Sequence, residues 1–294
     1  MAGLVVTVFF WAGNSIAGRM SAGMIPPVSL NFWRWTLAFI LLLPFTGKSL
    51  LSQWPVIYRH KWLLLTLGLL SIASFNTLLY QAAQTTQALN ITLIQTSLPL
   101  MTFMLSFILL KESPSKRQVV GLLLILAGLL IILTRGNLQQ WELLKSNTGD
   151  FYMLVAVFAW GLYTVLLRRF SPPIGDLNLL TILIGVGIIL LLPFYFFELF
   201  TVGGFALNIH SGSLLVYVTL FSSIVSYLCW NHGVKTLGSN TSSMFTSLMP
   251  VFTALIGSTL LGEPLHGYHF AGGIFIFCGL WLALLFKKSA FSSP

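Results

Sequence analysis

Four short spacings hold most of the chemistry this chain can offer. Trp11 and Asn14 stand three residues apart, as do Trp160 and Tyr163. Asn76 and Tyr80 stand four apart, as do Tyr227 and Asn231, with Trp230 beside them. Residues three or four apart share one face of a helix. An aromatic ring with a neutral amide or hydroxyl next to it suits an amphiphilic organic solute, although the same aromatics also serve as interfacial belts and packing groups. A second group precedes two prolines. Asn90, Thr92, Gln95, Thr96 and Ser97 lead into Pro99; Asn240, Thr241, Ser242, Ser243, Thr246 and Ser247 lead into Pro250. A proline inside a helix removes one donor and frees a carbonyl one turn earlier, which a membrane tolerates where the backbone meets protein or a wet cavity. The alternative is a pair of simple kinks whose hydroxyls bond back to the backbone. The candidate solute-binding set is Trp11, Asn14, Asn76, Tyr80, Gln95, Trp160, Tyr163, Tyr227, Trp230 and Thr246, with helix breaks at Pro99 and Pro250.

Arg34, between Trp33 and Trp35, lies inside an apolar run. A cation at that depth is costly unless it pairs or its head reaches the interface. It either meets a substrate carboxylate, as an anion contact, or snorkels to the outer headgroups. No Asp or Glu lies in the core of an apolar run: Asp150 and Glu198 sit at run ends and Asp176 in a loop. Intramembrane carboxylates are the usual proton and sodium relays, so carboxylate-driven antiport and a cationic solute are disfavoured. His232 closes an apolar run, where a gating or binding role is the lesser option. His266 and His269 share a loop with no metal role expected. Cys229 and Cys278 fall in apolar runs and are expected as buried free thiols, with neither a disulfide framework nor metal-ligand spacing. No cofactor is implied.

The elements that carry these residues follow from composition. The 294 residues are 56% hydrophobic and 7% charged, with a mean hydropathy of +0.90; soluble domains carry about 25% charged residues. The formal net charge of +9 is therefore not a nucleic-acid signal. A hydrocarbon core of about 30 Å takes roughly 20 apolar residues per helix. Ten runs qualify, near 4–23, 28–46, 62–82, 88–110, 119–134, 150–168, 178–199, 213–232, 238–261 and 268–286, with longer polar links at 47–61 and 135–149. Lys48, Arg59, Lys61, Lys111, Lys116, Arg117, Arg168, Arg169, Lys235, Lys287 and Lys288 fall on the side of the N-terminus. Arg19, Arg135 and Lys145 fall opposite. This bias places both termini in the cytoplasm.

The chain also repeats itself. Residues 40–45 and 189–194 are the same six letters. Trp11 and Trp160, Arg19 and Arg168, and Pro44 and Pro193 are each 149 apart; Pro99 and Pro250, Glu112 and Glu263, Gly121 and Gly272, and Gly128 and Gly279 are each 151 apart. The organisation expected is residues 1–134 as a first five-helix repeat, 135–149 as linker, 150–288 as the second repeat and 289–294 as a tail. Five is odd, so the second repeat enters the membrane inverted. The fold class is an all-α membrane protein of ten transmembrane helices in two inverted five-helix repeats around a central cavity, an architecture that supports alternating access. Gly121, Gly128, Gly272 and Gly279 allow close helix approach. Glu112 and Glu263 suit the capping of the helices that follow.

Phe10-Trp11-Ala12-Gly13 and Phe158-Ala159-Trp160-Gly161, with Lys111-Glu112-Ser113-Pro114 and Gly262-Glu263-Pro264 and the glycines that follow each, resemble the EamA-type members of the drug/metabolite transporter superfamily across roughly residues 3–286. The resemblance implies ten spans in two inverted halves, the fifth and tenth peripheral, and relatives that export amino acids and other metabolites. Small multidrug members of that superfamily use a glutamate in the first span; residues 4–23 contain no acid. The function expected is export of a small neutral or zwitterionic metabolite, amino acids foremost, across a bacterial-type inner membrane. Uptake or facilitated movement of a sugar, nucleoside or vitamin is the alternative, and a membrane-embedded enzyme is remote because the acids are scattered. The partners implied are the small solute and the lipid bilayer; the sequence is silent on oligomeric state.

Overall fold

The computed structural model describes residues 1–86, 88–134, 148–260 and 266–284, and every regular element among them is helical. Along the chain run α1 (Ala2–Ser21), α2 (Pro27–Ser52), the short α3 (Trp54–Arg59), α4 (Lys61–Thr85), α5 (Ala88–Gln95), α6 (Leu98–Leu110), α7 (Lys116–Leu133), α8 (Thr148–Phe170), α9 (Asp176–Thr201), α10 (Ile209–Leu237), α11 (Ser239–Met244), α12 (Met249–Leu260) and α13 (Gly267–Leu284). Among the described residues, six segments are long and apolar enough to cross a bilayer: α2, α4, the α5–α6 rod from Asn90, α8, α9 and α10. α1 and α11–α12 pack among them, while α13 pairs with α7. Large apolar side chains such as Phe45, Ile189, Phe197 and Phe200 point outward, where lipid rather than water makes them stable. The chain is an all-α, multi-pass membrane protein.

Two differences from the sequence-based expectation concern helix ends. The polar letters from Gly47 suggest a link, but α2 continues to Ser52, and Ser49 Oγ accepts from Gln53 Nε2 (3.0 Å) and Asn178 Nδ2 (2.7 Å), which ties α2 to α9. Pro44 and Pro193 sit inside α2 and α9 without ending them. The expected cap of α7 by Glu112 is not made: Ser115 Oγ accepts from the Gln118 amide (3.2 Å) and Gln118 Oε1 accepts from the Ser115 amide (2.9 Å), a closed capping box. A serine at the N-cap bonds an exposed helix amide directly, which an acid three residues earlier does not reach. Glu263 lies outside the described residues, as do Arg135, Lys145, Lys287 and Lys288. Neither cysteine is fully buried, against expectation; Cys229 is partly covered and Cys278 faces outward from α13.

α7 and α13 touch through backbone. A methyl group on Gly121 would lie 2.5 Å from the Gly279 carbonyl oxygen, and one on Gly128 would lie 2.6 Å from that of Gly272; the reverse pairs give the same distances. Residue 121 meets 279 while 128 meets 272, so the two helices run antiparallel. Only glycine permits this approach.

Helix ends also show which termini share a face. Gly233, near the end of α10, packs on Leu4 of α1. The hydroxyl of Ser106, near the end of α6, lies 3.1 Å from that of Ser239, at the start of α11. Gly121, near the start of α7, packs on Ala283. The first turn of α1 and the last turn of α13 therefore lie on one face of the molecule.

Candidate functional site

The site is organised by two matched distortions. α4 widens into a π-helical turn at Leu69–Ser74 and α10 does so at Val218–Val225. Leu69 and Val218, where the turns begin, and Ser74 and Val225, where they end, stand at the offsets of the sequence repeat. A π-turn carries one extra residue, misaligns the ladder and turns carbonyls away from the helix axis. Those carbonyls receive side chains from other helices. Ser71 O accepts from Tyr227 Oη (2.8 Å) and Ile72 O from Asn31 Nδ2 (3.0 Å). Ser222 O accepts from Trp11 Nε1 (3.2 Å) and Arg34 Nη2 (2.9 Å).

Arg34 of α2 is fully buried. It does not snorkel. Nη1 donates to Tyr80 Oη (2.6 Å), Asn76 Oδ1 (2.9 Å) and Asn14 Oδ1 (3.1 Å), Nε donates to Ser223 Oγ, and the guanidinium carbon stands 4.9 Å from the Trp35 ring. The inward pull is the ring of neutral acceptors that α1, α4 beyond its π-turn and the π-turn of α10 supply. All these partners are neutral, and no ion pair to Arg34 is formed among the described residues. A guanidinium has five N–H donors; one on Nη2 is left over. Asn76 also donates from Nδ2 to Tyr227 Oη (2.8 Å), a bond between repeat counterparts.

Beside this polar cluster lies an aromatic one. Trp11 meets Trp160 edge-on at 5.1 Å between ring centroids; Trp230 lies 5.0 Å from Trp11 and Tyr227 5.1 Å from Trp160, with Phe75 4.7 Å and Tyr163 4.9 Å from Trp160. Tyr163 Oη donates to Asn231 Oδ1 (2.6 Å). Four buried donors have no partner among the described residues: Nε1 of Trp35, Trp160 and Trp230, and Nδ2 of Asn231. Gln95 and Thr246 join Trp11 and Trp160 around a void of about 10 Å³, room for about one water. The open central cavity expected from the sequence is thus closed here: its lining residues come together but leave no solute-sized space, since ligand pockets run to roughly 300–1,000 Å³.

The helix breaks sit at the prolines. α5 ends at Gln95, Thr96 and Ser97 form a turn, and α6 starts with Leu98–Pro99. α11 tightens to a 3₁₀ turn at Phe245–Leu248 before Met249–Pro250 opens α12. Several hydroxyls there do bond back to the backbone, Ser97 to Ile94 O (2.7 Å) and Thr246 to Ser243 O (2.7 Å), whereas Ser242 and Ser247 stay unpartnered and buried.

Each end of the site is tied by an arginine to a helix end. Arg19 Nη1 donates to Ala83 O (3.1 Å) and Gln84 O (3.4 Å), and Arg168 Nη1 to Lys235 O (2.6 Å). Arg168 is the repeat counterpart of Arg19, and Lys235 that of Gln84. Lys235 Nζ also pairs with Asp176 Oδ1 (2.7 Å), and the exposed His232 rests 3.4 Å from the same carboxylate rather than at the site. His266 and His269 contact each other and Tyr268. Ser71, Ser222, Ser223 and Trp35 did not stand out in the sequence as site residues. Glu198 stood out only as an acid at a run end; its carboxylate accepts from the Val28 amide (3.0 Å), the Ser29 amide (2.6 Å) and Ser29 Oγ (2.7 Å) and so caps α2. The serines stood in the repeat all along, Ser71 and Ser222 being counterparts in it; nothing in the letters marked Glu198 as the cap of α2.

The model of the EamA-like transporter family matches residues 1–134 and 147–285. A Bacillus subtilis (strain 168) protein named "Uncharacterized transporter YyaM" is 30% identical over 283 residues, spanning 94% of this chain and 90% of its own. An "Uncharacterized transporter" of Archaeoglobus fulgidus is 28% identical over 95% of both chains. Among solved structures, one titled "Crystal structure of protein" superposes with a TM-score of 0.73 at 16% identity, covering 97% of this chain and 96% of that one; it shares the fold.

Proposed function

The chain belongs to the EamA-like transporter family, and on that footing we propose that it exports small zwitterionic metabolites, amino acids foremost, by alternating access. The observation that carries the proposal is Arg34. A buried cation surrounded only by neutral acceptors keeps its full charge, and a carboxylate on the solute neutralises it. The unpartnered donors on Trp35, Trp160, Trp230 and Asn231 favour the same acceptor-rich end. The faces of Trp11, Trp160 and Trp230 suit an apolar side chain and an ammonium group. The matched π-turns, the antiparallel glycine contact of α7 with α13 and the paired arginine ties support ten spans in two inverted halves. The cation bias supports an inner-membrane protein with both termini in the cytoplasm. The small void and the two arginine ties support reading this form as an intermediate closed to both faces.

Tryptophan fluorescence tests this, since Trp11, Trp35, Trp160 and Trp230 all surround the site. Titration of purified protein with amino acids and with the amines lacking their carboxylate is expected to give saturable changes with the acids alone. Equal responses to acid and amine would remove the carboxylate from the proposal.

A further inference from the structure

On the face that carries the Arg168–Lys235 tie, a cleft of about 510 Å³ opens between the α3–α4 junction and the end of α8, lined by Arg59, His60, Trp62, Leu63, Arg169 and Phe170 with Ser171. None of these is acidic, and Arg59 and Arg169 form no ion pair among the described residues. His60 donates Nδ1–H to Val56 O (2.9 Å).

We propose that this cleft binds the phosphate of an anionic phospholipid, held between Arg59 and Arg169. An arginine fork matches a phosphate bidentately, and basic pockets at helix ends are suited to lipid headgroups. A lipid rather than free phosphate is the occupant because the rim is built for the membrane interface. Trp62 and Phe170 of its lining are exposed, and Lys61 Nζ stands 4.3 Å over the ring of the exposed Tyr58 and 5.6 Å over the Trp62 ring. Aromatic rings with cations above them are the anchors of that zone. The opposite corner of the repeat serves as an internal comparison. At the offset that relates Trp11 to Trp160, Asn208 and Ile209 replace Arg59 and His60, and Met20 replaces Arg169. The cleft's charge is therefore an addition to one corner and not a requirement of the repeated fold. The site is independent of the solute proposed above.

Native mass spectrometry of the full chain in detergent tests it, with phosphatidylglycerol and phosphatidylcholine as probes. Wild-type protein is expected to retain phosphatidylglycerol in preference to phosphatidylcholine. Arg59→Gln with Arg169→Gln is expected to weaken that retention at least about tenfold, while Lys111→Gln with Lys116→Gln leaves it within about twofold. Each single arginine variant is expected to give an intermediate loss, which covers the case in which the double variant does not fold. No preference in the wild type, or an undiminished preference without the two arginines, overturns the proposal. So does displacement of the lipid by millimolar inorganic phosphate, which would make the occupant a free anion.

Discussion

Tyr163 donates its hydroxyl to Asn231 Oδ1 at 2.6 Å, and the same bond occurs a repeat away with the residues exchanged: Tyr80 donates to Asn14 Oδ1 at 2.8 Å. Tyr163 is the repeat counterpart of Asn14, and Asn231 is that of Tyr80. In each half, a helix at the start of the repeat is thus pinned to the third by one buried tyrosine–asparagine bond. The halves differ in charge: Arg34 bonds Asn14, Asn76 and Tyr80 of the first, whereas position 183, which corresponds to it in the second, is Leu. The first half thus brings a buried cation to its tyrosine–asparagine bond and the second does not.

Removing Arg34 strands the groups gathered around it. Each buried polar group left without a partner costs about 1–3 kcal/mol, so Arg34→Leu is expected to lower the thermal midpoint by several degrees. Arg34→Lys keeps a charge but cannot reach partners on three sides and is expected to recover part of the loss. Thermal unfolding of the purified variants measures this; a midpoint unchanged in Arg34→Leu would contradict the network.

Trp160 is the hub of the aromatic cluster. Trp160→Ala removes a buried ring, which costs about 3–5 kcal/mol in well-packed cores, while Trp160→Phe preserves most contacts. Across a panel of amino acids, Trp160→Ala is expected to raise KM more for aromatic than for small side chains. A uniform change across the panel would place the hub outside the site.

The glycine contact of α7 and α13 gives a prediction about packing alone. Gly279→Ala puts a methyl group 2.5 Å from the Gly121 carbonyl oxygen. Backbone must move, at a cost of about 1–3 kcal/mol. Gly175→Ala meets open space and is expected to be near neutral. Thermal midpoints of the two variants, compared side by side, decide this.

Much of the fold was legible because lipid and length constrain it. A run such as 178–199 has one stable state in hydrocarbon, and the nearly constant offset of the repeat carried Trp11 onto Trp160 and Gly121 onto Gly272. The site was legible in membership but not in wiring. Asn14, Asn76 and Tyr80 stood out as polar groups in apolar runs, yet their convergence on Arg34 depends on how α1, α2 and α4 cross. The π-turns left no letter signature, because a bulge needs one extra residue rather than a particular one. The cap of α2 by Glu198 joins positions far apart in sequence, Val28 and Glu198, a contact that only packing creates.

The two arginine ties are expected to act in opposite directions. Arg19→Gln releases one face and Arg168→Gln the other. With Ser15→Cys as reporter in a background lacking Cys229 and Cys278, an impermeant thiol reagent should react faster from the Arg19 face in the first variant and from the Arg168 face in the second. Equal acceleration from both faces in either variant would show that the ties do not set access.

The most direct measurement is flux through the purified protein in liposomes, with labelled aromatic amino acids, the matching amines, and Arg34→Gln beside the wild type. Wild-type vesicles are expected to move the amino acids and not the amines, and Arg34→Gln vesicles to move neither. Flux of the amines at the same rate, or of the amino acids at full rate without the arginine, would contradict a carboxylate bound at Arg34.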